Sequence, residues 1–417
     1  MTRMKTGSRS ALAGASMLAA ALAVELVDEL VDGTKGAAFP LIRHDLALSY
    51  AQIGLLASVP LLLGSLLELP VGVLAGHGRR QRIAVLAGGV VFIASLVAAA
   101  TAHSFAALLI AFVTFFPASG AFVSLTQSGL MDADPARQEQ HMARWNLAGS
   151  AGAVAGPVLL IAVLASGGGW RAAYLVLAGS ATAAWLGVAR RGPRPLAATA
   201  GDGTGEPAGT AAPGDRDRAG AVRRVRRALR RDGVARWLVL LQVSDLLLDV
   251  LTGFLAVYLV DVAHATPAEA ALGVAVRLTA GLAGDAALVR VLERMAGHRV
   301  LAASAAAAAL LYPGFLLVPG FWPKLVVLAG LSIATAPWYP VLQASLYGSL
   351  PGQSGVAVTL TSAAGLAGGA GPLAAGFLAE RFGLSWALAG LAIAPVCMLA
   401  GLRWRPARRR PPGRQAP

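Results

Sequence analysis

Four carboxylates crowd one short stretch of the chain. Glu25, Asp28, Glu29 and Asp32 lie in "VELVDELVDG", spaced i, i+3, i+4 and i+7, which puts all four on one face of a helix. Asp245 and Asp249, at i and i+4, form a second stripe of the same kind. Both stripes interrupt apolar runs long enough to cross a bilayer. A charged residue at the bilayer centre costs about 2.5–3.5 kcal/mol, so six facing lipid would cost about 15–20 kcal/mol. They must instead line a water-filled cavity, pair with cations or carry protons. Carboxyl groups crowded into a partly dehydrated cavity exchange protons near neutral pH, and proton coupling needs that exchange. Cations able to neutralise them are few. Lys35, three residues after Asp32, reaches it, and Arg277 reaches Asp285 or the Asp245–Asp249 pair. Six acids plus Asp285 outnumber these two cations. The alternative is a mainly structural ion network. Glu68, further along, is a candidate gate between the two halves of the chain.

The elements that must position these acids follow from composition. The 417 residues are 56% hydrophobic and 13% charged, with a mean hydropathy of +0.65. A soluble chain carries about 25% charged residues. The charges cluster, and between the clusters lie apolar runs of the roughly 20 residues a membrane helix needs. Continuous Ala/Leu/Val runs, rather than alternating ones, exclude a β-barrel. Twelve spans are expected, at 11–35, 50–75, 82–101, 104–129, 143–166 and 169–189, then 236–262, 268–292, 298–318, 323–347, 354–378 and 384–402. The chain therefore divides into a first bundle (1–189), an Arg-rich linker (190–235), a second bundle (236–402) and a basic tail (403–417). Four acids in the first apolar run argue against a cleaved signal peptide.

Basic residues set the orientation. Arg3, Lys5 and Arg9, then Arg79, Arg80 and Arg82, then Arg290, Arg294 and Arg299, and finally Arg403, Arg405 and Arg408 all fall on one side of a twelve-span arrangement. That side is cytoplasmic, with both termini inside a bacterial-type inner membrane. The stretch from Arg190 to Arg236 holds twelve arginines against five acids. Within it Val222, Val225, Ala228 and Leu229 share one helical face, which suits a short helix lying on the anionic inner leaflet. The net charge of +14 is thus a topological signal, and nucleic acid is excluded as a partner.

The two halves repeat each other in order. Asp28 and Asp32 match Asp245 and Asp249, Gly54 matches Gly273, Pro117 matches Pro337, Gly156-Pro157 matches Gly371-Pro372, and Trp170 matches Trp386. The shifts drift by only a few residues. Both halves start on the same side, so the repeat is parallel, about an axis along the membrane normal.

Twelve spans in two parallel six-helix halves, joined by a long basic loop, resemble the major facilitator superfamily. "GVLAGHGRR", with Gly72, Gly78, Arg79 and Arg80, is similar to the family's loop between helices 2 and 3, usually Gly-x-x-x-Asp-Arg-x-Gly-Arg-Arg. Gly76 and His77 replace its Asp and Arg, and one residue is missing. "GSAGAVAGP", containing Gly152, Gly156 and Pro157, resembles the helix 5 motif of the drug:proton antiporters, and "AGLAGGAGP", with Gly368, Gly371 and Pro372, echoes it. The stretch from Glu25 to Leu56 resembles fosmidomycin-resistance-type exporters, including "LSYAQIG" at the start of the second span. The resemblance implies an all-α membrane fold in which helices 4 and 10 line the cavity. Phe115, Phe116 and Gln127, with Trp338, Tyr339 and Gln343, are then candidate substrate contacts, because aromatics and amides suit an amphipathic organic molecule.

Enzyme signals are missing. No Gly-x-x-x-x-Gly-Lys-Ser/Thr loop stands ready for a nucleotide phosphate. The six histidines show no metal-ligand spacing, and the single Cys397 excludes a thiolate cluster. No cofactor or metal is expected. The expectation is a monomeric secondary transporter that works by alternating access. Its main form is proton-coupled efflux of an amphipathic, neutral or cationic small molecule. The alternatives are a proton-coupled uptake symporter for a metabolite and a non-transporting membrane sensor or scaffold.

Overall fold

The computed structural model describes residues 2–75, 79–133, 138–191, 229, 233–350, 360, 364 and 368–403. Side chains are described for these residues except 2–15, 64–75, 131–133, 138–140, 143, 191 and 347. All the secondary structure described is helical.

The first half holds α1 (Thr2–Asp45), α2 (Tyr50–Ala75), α3 (Arg79–Ala100), α4, α5 (Gln138–Ala165) and α6 (Trp170–Arg191). α4 runs from Phe105–Ser119 through a π-helical turn, Gly120–Ser124, into Leu125–Ala133. The second half holds α7 (Val234–Asp261), α8 (Pro267–Leu292), α9 (Gly297–Leu317), α10 (Phe321–Thr335, then Trp338–Ser349), α11 (Gly371–Phe382) and α12 (Leu384–Gly390, then Ile393–Arg403). Among the described residues nine helices are long and apolar enough to cross a membrane. α1, α2 and α11 take the remaining places in the twelve-span order. At 44 residues α1 is about 66 Å long, so the expected span 11–35 is only its middle. The amphipathic segment expected in the linker lies outside the described residues apart from Leu229, which is helical and exposed. The basic tail lies outside them beyond Arg403.

Local sequence explains several boundaries. α8 opens on a reciprocal capping box, in which Thr266 accepts from Glu269 N–H and Glu269 accepts from Thr266 N–H, with a proline at the first turn. Ser104 caps α4. The two helices that carry the repeat prolines are both irregular. In α4 the π turn begins three residues after Pro117, and α10 is interrupted at Ala336 and Pro337. Proline removes a ladder hydrogen bond and crowds the preceding turn, which favours both defects.

Two contacts bring backbones unusually close. In the first half, a Cβ on Gly152 would lie 2.2 Å from the Leu26 carbonyl oxygen, and one on Gly156 would lie 2.5 Å from Thr34 N, so α5 and α1 touch backbone to backbone. Thr34 Oγ1 donates to the Gly156 carbonyl across this contact, at 3.1 Å. Between the halves, a Cβ on Gly54 would lie 2.6 Å from the Pro372 oxygen, and one on Gly376 would lie 2.6 Å from the Tyr50 oxygen, so α2 and α11 meet in the same way. Only glycine permits such approaches.

On the face opposite the N-terminus the halves are also joined by charge. Arg43 at the end of α1 donates to Asp261 at the end of α7, at 2.6 Å. Tyr50 Oη donates to the same carboxylate at 2.9 Å, and Tyr50 N–H donates to Glu380 of α11 at 2.9 Å.

Candidate functional site

The acids of α1 stand inside the first bundle, on the wedge between α4 and α5. Asp28 accepts a hydrogen bond from Ser119 Oγ at 2.7 Å. Ser119 is the last residue before the π turn of α4, so the irregular backbone presents this hydroxyl. Glu25 and Glu29 lie along α5. Glu25 lies beside Trp145, and both acids pack over the bare glycines, with Glu25 Oε1 2.6 Å from the position a Cβ on Gly149 would take. Asp32 pairs with Lys35 at 2.5 Å, and the Lys35 ammonium sits 5.0 Å from the centroid of Phe116.

α7 carries the second stripe. Asp245 accepts from Gln242 at 3.3 Å, near Gly368, which precedes α11. Asp249 lies within electrostatic reach of Arg277 on α8, and Arg277 Nη2 donates to the Leu248 carbonyl at 3.3 Å. α1 passes α7 near Gly36, where an added Cβ would come 3.8 Å from the Thr252 oxygen.

A cavity of about 370 Å³ opens between the bundles, lined by α5, α7, α8 and α10. That volume falls in the range of about 300–1,000 Å³ typical of small-molecule sites. Arg277 and Asp285 both line it, as does Tyr339, with Ser150 from α5 opposite. Of the six residues expected as substrate contacts, only Tyr339 is on this wall. Phe115 is buried, with its ring 4.7 Å from that of Phe92, and Phe116 packs against it at 6.0 Å. Gln127 donates to the sulfur of Met142 at 3.5 Å. Trp338 is fully buried and donates to Ser304 of α9 at 3.1 Å. Gln343 is half-buried, and its carbonyl oxygen has no partner among the described residues. The interruption at Ala336–Pro337 changes the phase of α10. It leaves Tyr339 towards the cavity and turns Trp338 into the second bundle.

The remaining expected residues take various places. The side chain of Glu68 lies outside the described residues, as does Gly78, while Gly72 is within α2 and Arg79 and Arg80 are exposed at the start of α3. Gly152, Gly156 and Pro157 form the α1–α5 contact. Gly368 and Gly371 lie against Gln242 and Leu246 of α7, and Pro372 lies against α2. Of the latch residues, Asp261 and Glu380 were not singled out in the sequence, and Tyr50 stood out only as part of "LSYAQIG". A signal existed, because Asp261 follows Arg43 by 218 positions, within the drift of the internal repeat.

Two helical bundles around a cavity with charges on its wall, latched together at one end, define a membrane transporter. The chain matches the sequence profile of the Major Facilitator Superfamily over residues 21–262, more than half its length, and belongs to that family. It is thus a secondary transporter and not an enzyme. No curated protein sequence matches the chain. Its structure is similar to a bacterial homologue of the human lysosomal transporter Spinster in an inward-facing, occupied conformation. That match has a TM-score of 0.72 at 16% identity and covers 94% of this chain and 98% of that one. It is also similar to the nucleoside transporter NupG, with a TM-score of 0.71 at 13% identity, covering 94% of this chain and all of that one. At these identities the likeness is one of fold.

Proposed function

We propose that the protein exports an amphipathic, neutral or cationic small molecule across a bacterial-type inner membrane in exchange for protons. Asp28, Asp32, Asp245 and Asp249 carry the protons, the substrate charge, or both in competition. The observation that supports this reading most is the excess of acid inside the protein. Asp28 accepts from a serine, Glu25 lies beside a tryptophan, Glu25 and Glu29 pack over bare glycines, and Lys35 is spent on Asp32. A carboxylate without a counter-ion inside a membrane protein is expensive, and its presence there marks an ion or substrate pathway. Competition between proton and substrate for one carboxylate suits exchange, because occupancy by one excludes the other. With the N-terminus cytoplasmic, the Arg43–Asp261 latch closes the outer face, and the cavity loads from inside.

The test uses everted vesicles with an acidic interior and a panel of antibiotics, dyes, sugars and amino acids. Exchange predicts that one class of compound collapses the pH gradient and that Asp28→Asn and Asp245→Asn abolish the response in folded, inserted protein. Normal flux in both variants removes these acids from the mechanism. Substrate affinity that rises with acidity favours uptake by symport instead.

A further inference from the structure

The charged lining of the cavity is arranged along one helix. Arg277, Gly281 and Asp285 follow one another at i, i+4 and i+8 on α8, and all three face the cavity. At a rise of 1.5 Å per residue, the two charges stand about 12 Å apart along the axis. A Cβ on Gly281 would meet no atom within 4 Å, so open space lies directly over the helix between them. The flanking wall is apolar, formed by Leu247, Leu251, Leu278 and Leu282.

The two ends differ in what they already hold. Arg277 is half-buried, bonded to one backbone carbonyl and close to Asp249. Its planar fork of five donors is suited to a further oxyanion. Asp285 is exposed to the cavity and has no ionic partner among the described residues. A purely anionic cargo long enough to span the site would lie against Asp285. A purely cationic one would lie against Arg277. Like charges brought together in such a site cost affinity either way.

We propose that the cargo is a dipolar amphipath, with a cationic nitrogen at Asp285, an anionic oxygen group at Arg277, and an apolar stretch of about 10 Å, set by the helical rise, lying across Gly281. This assignment rests on the transport reading, leaves the protons to the acids of α1 and α7 and the substrate's cationic end to Asp285, and names the substrate class.

The probes are 8-aminooctanoate, octylamine and octanoate, which share a chain and differ only in their ends. Each is titrated calorimetrically into the full-length protein in lipid nanodiscs, with empty nanodiscs subtracted. 8-Aminooctanoate is expected to bind at least about tenfold more tightly than either single-ended probe. Arg277→Gln should erase its advantage over octylamine, and Asp285→Asn its advantage over octanoate. Gly281→Leu, which fills open space and leaves both charges, should weaken 8-aminooctanoate binding in a protein whose thermal unfolding is unchanged. Equal or tighter binding of octylamine or octanoate overturns the proposal, and so does no binding of any probe to folded protein. Either result can coexist with a pH-gradient response in vesicles, in which case proton exchange stands and only the dipolar class is lost. Dipolar preference without any gradient response removes proton exchange and leaves the substrate class.

Discussion

Arg43 and Asp261 occupy equivalent places in the two halves of the chain, 218 positions apart, and bond to each other at 2.6 Å. Duplication placed the two sites on either side of the pseudo-twofold axis, and opposite charges at the two sites make the axis itself a latch. Tyr50 and Glu380 extend it to α2 and α11, and the Arg43 guanidinium lies 4.2 Å from the centre of the Tyr50 ring. Both ionic partners are largely shielded, with side chains 27% and 19% exposed. Hydrogen bonds to charged groups contribute about 1.5–3 kcal/mol. Arg43→Gln should therefore raise the population open to the outside by about tenfold. The measurement is the rate at which an impermeant maleimide labels Ser150→Cys from outside intact cells, in a Cys397→Ser background. An unchanged rate would show that the ion pair does not hold this face closed.

The helices, their order and the repeat were legible in the sequence because a membrane helix must be long and apolar, and matches that recur in order at a nearly constant shift point to duplication. The acidic stripe of α1 was legible as a face, but not its neighbours. Positions i, i+3, i+4 and i+7 span a wedge of roughly 100°, wide enough to meet two helices. Asp28 met α4, and Glu25 and Glu29 met α5. Local backbone defects decided the rest. Pro117 and Pro337 announced irregularity, but periodicity alone could not say that a π turn would follow one and a break the other. Trp338 and Tyr339 fall on different sides of α10, the first buried and the second on the cavity wall, and Gln127 lies beside Met142. Gly281 carried no sequence signal at all, because its part in the cavity is to be small at a place that only the packed helices define.

Ser119 is expected to matter through its hydroxyl. It is the donor to Asp28, at 2.7 Å, and its place is set by the π turn that begins at the next residue. Ser119→Ala removes a hydrogen bond to a carboxylate, worth about 1.5–3 kcal/mol, and gradient-driven flux should fall several-fold at saturating substrate. Ser119→Thr keeps the hydroxyl and should keep most of the flux. Equal flux in all three proteins would reduce the contact to packing.

Close approach of α1 and α5 should make Gly152 intolerant of any side chain. The clash of an added Cβ is with the backbone oxygen of Leu26, which a rotamer change cannot relieve. Overpacking of this kind costs about 1–3 kcal/mol or more. Gly152→Ala should lower the thermal unfolding midpoint and the yield of monodisperse protein. Gly179 of α6 provides the control, since a Cβ there meets nothing within 4 Å, and Gly179→Ala should leave both quantities unchanged. Comparable behaviour of the two variants would mean that α1 and α5 separate at little cost.

The junction of α1 with α6 should make the first bundle sensitive to acid. Arg171 donates to the carboxylate of Asp45, and this hydrogen bond, joined by one from Trp170 Nε1 at 3.2 Å, holds the Asp45 carboxyl below the ordinary carboxylate range. Arg171 also donates to the Ala102 carbonyl at 2.8 Å, tying in the turn between α3 and α4. Because the folded protein depresses this titration, the stabilisation is fully present above the ordinary value of 3.8. It is lost as pH falls from there through the folded value. The carboxylate is 41% exposed, so solvent screening keeps the effect small. Asp45→Asn should therefore unfold at a slightly lower temperature than the parent at neutral pH. The gap between the two should close as the medium is acidified below about pH 4. A gap that stays constant down to that range would assign the difference to packing rather than to the charge on Asp45.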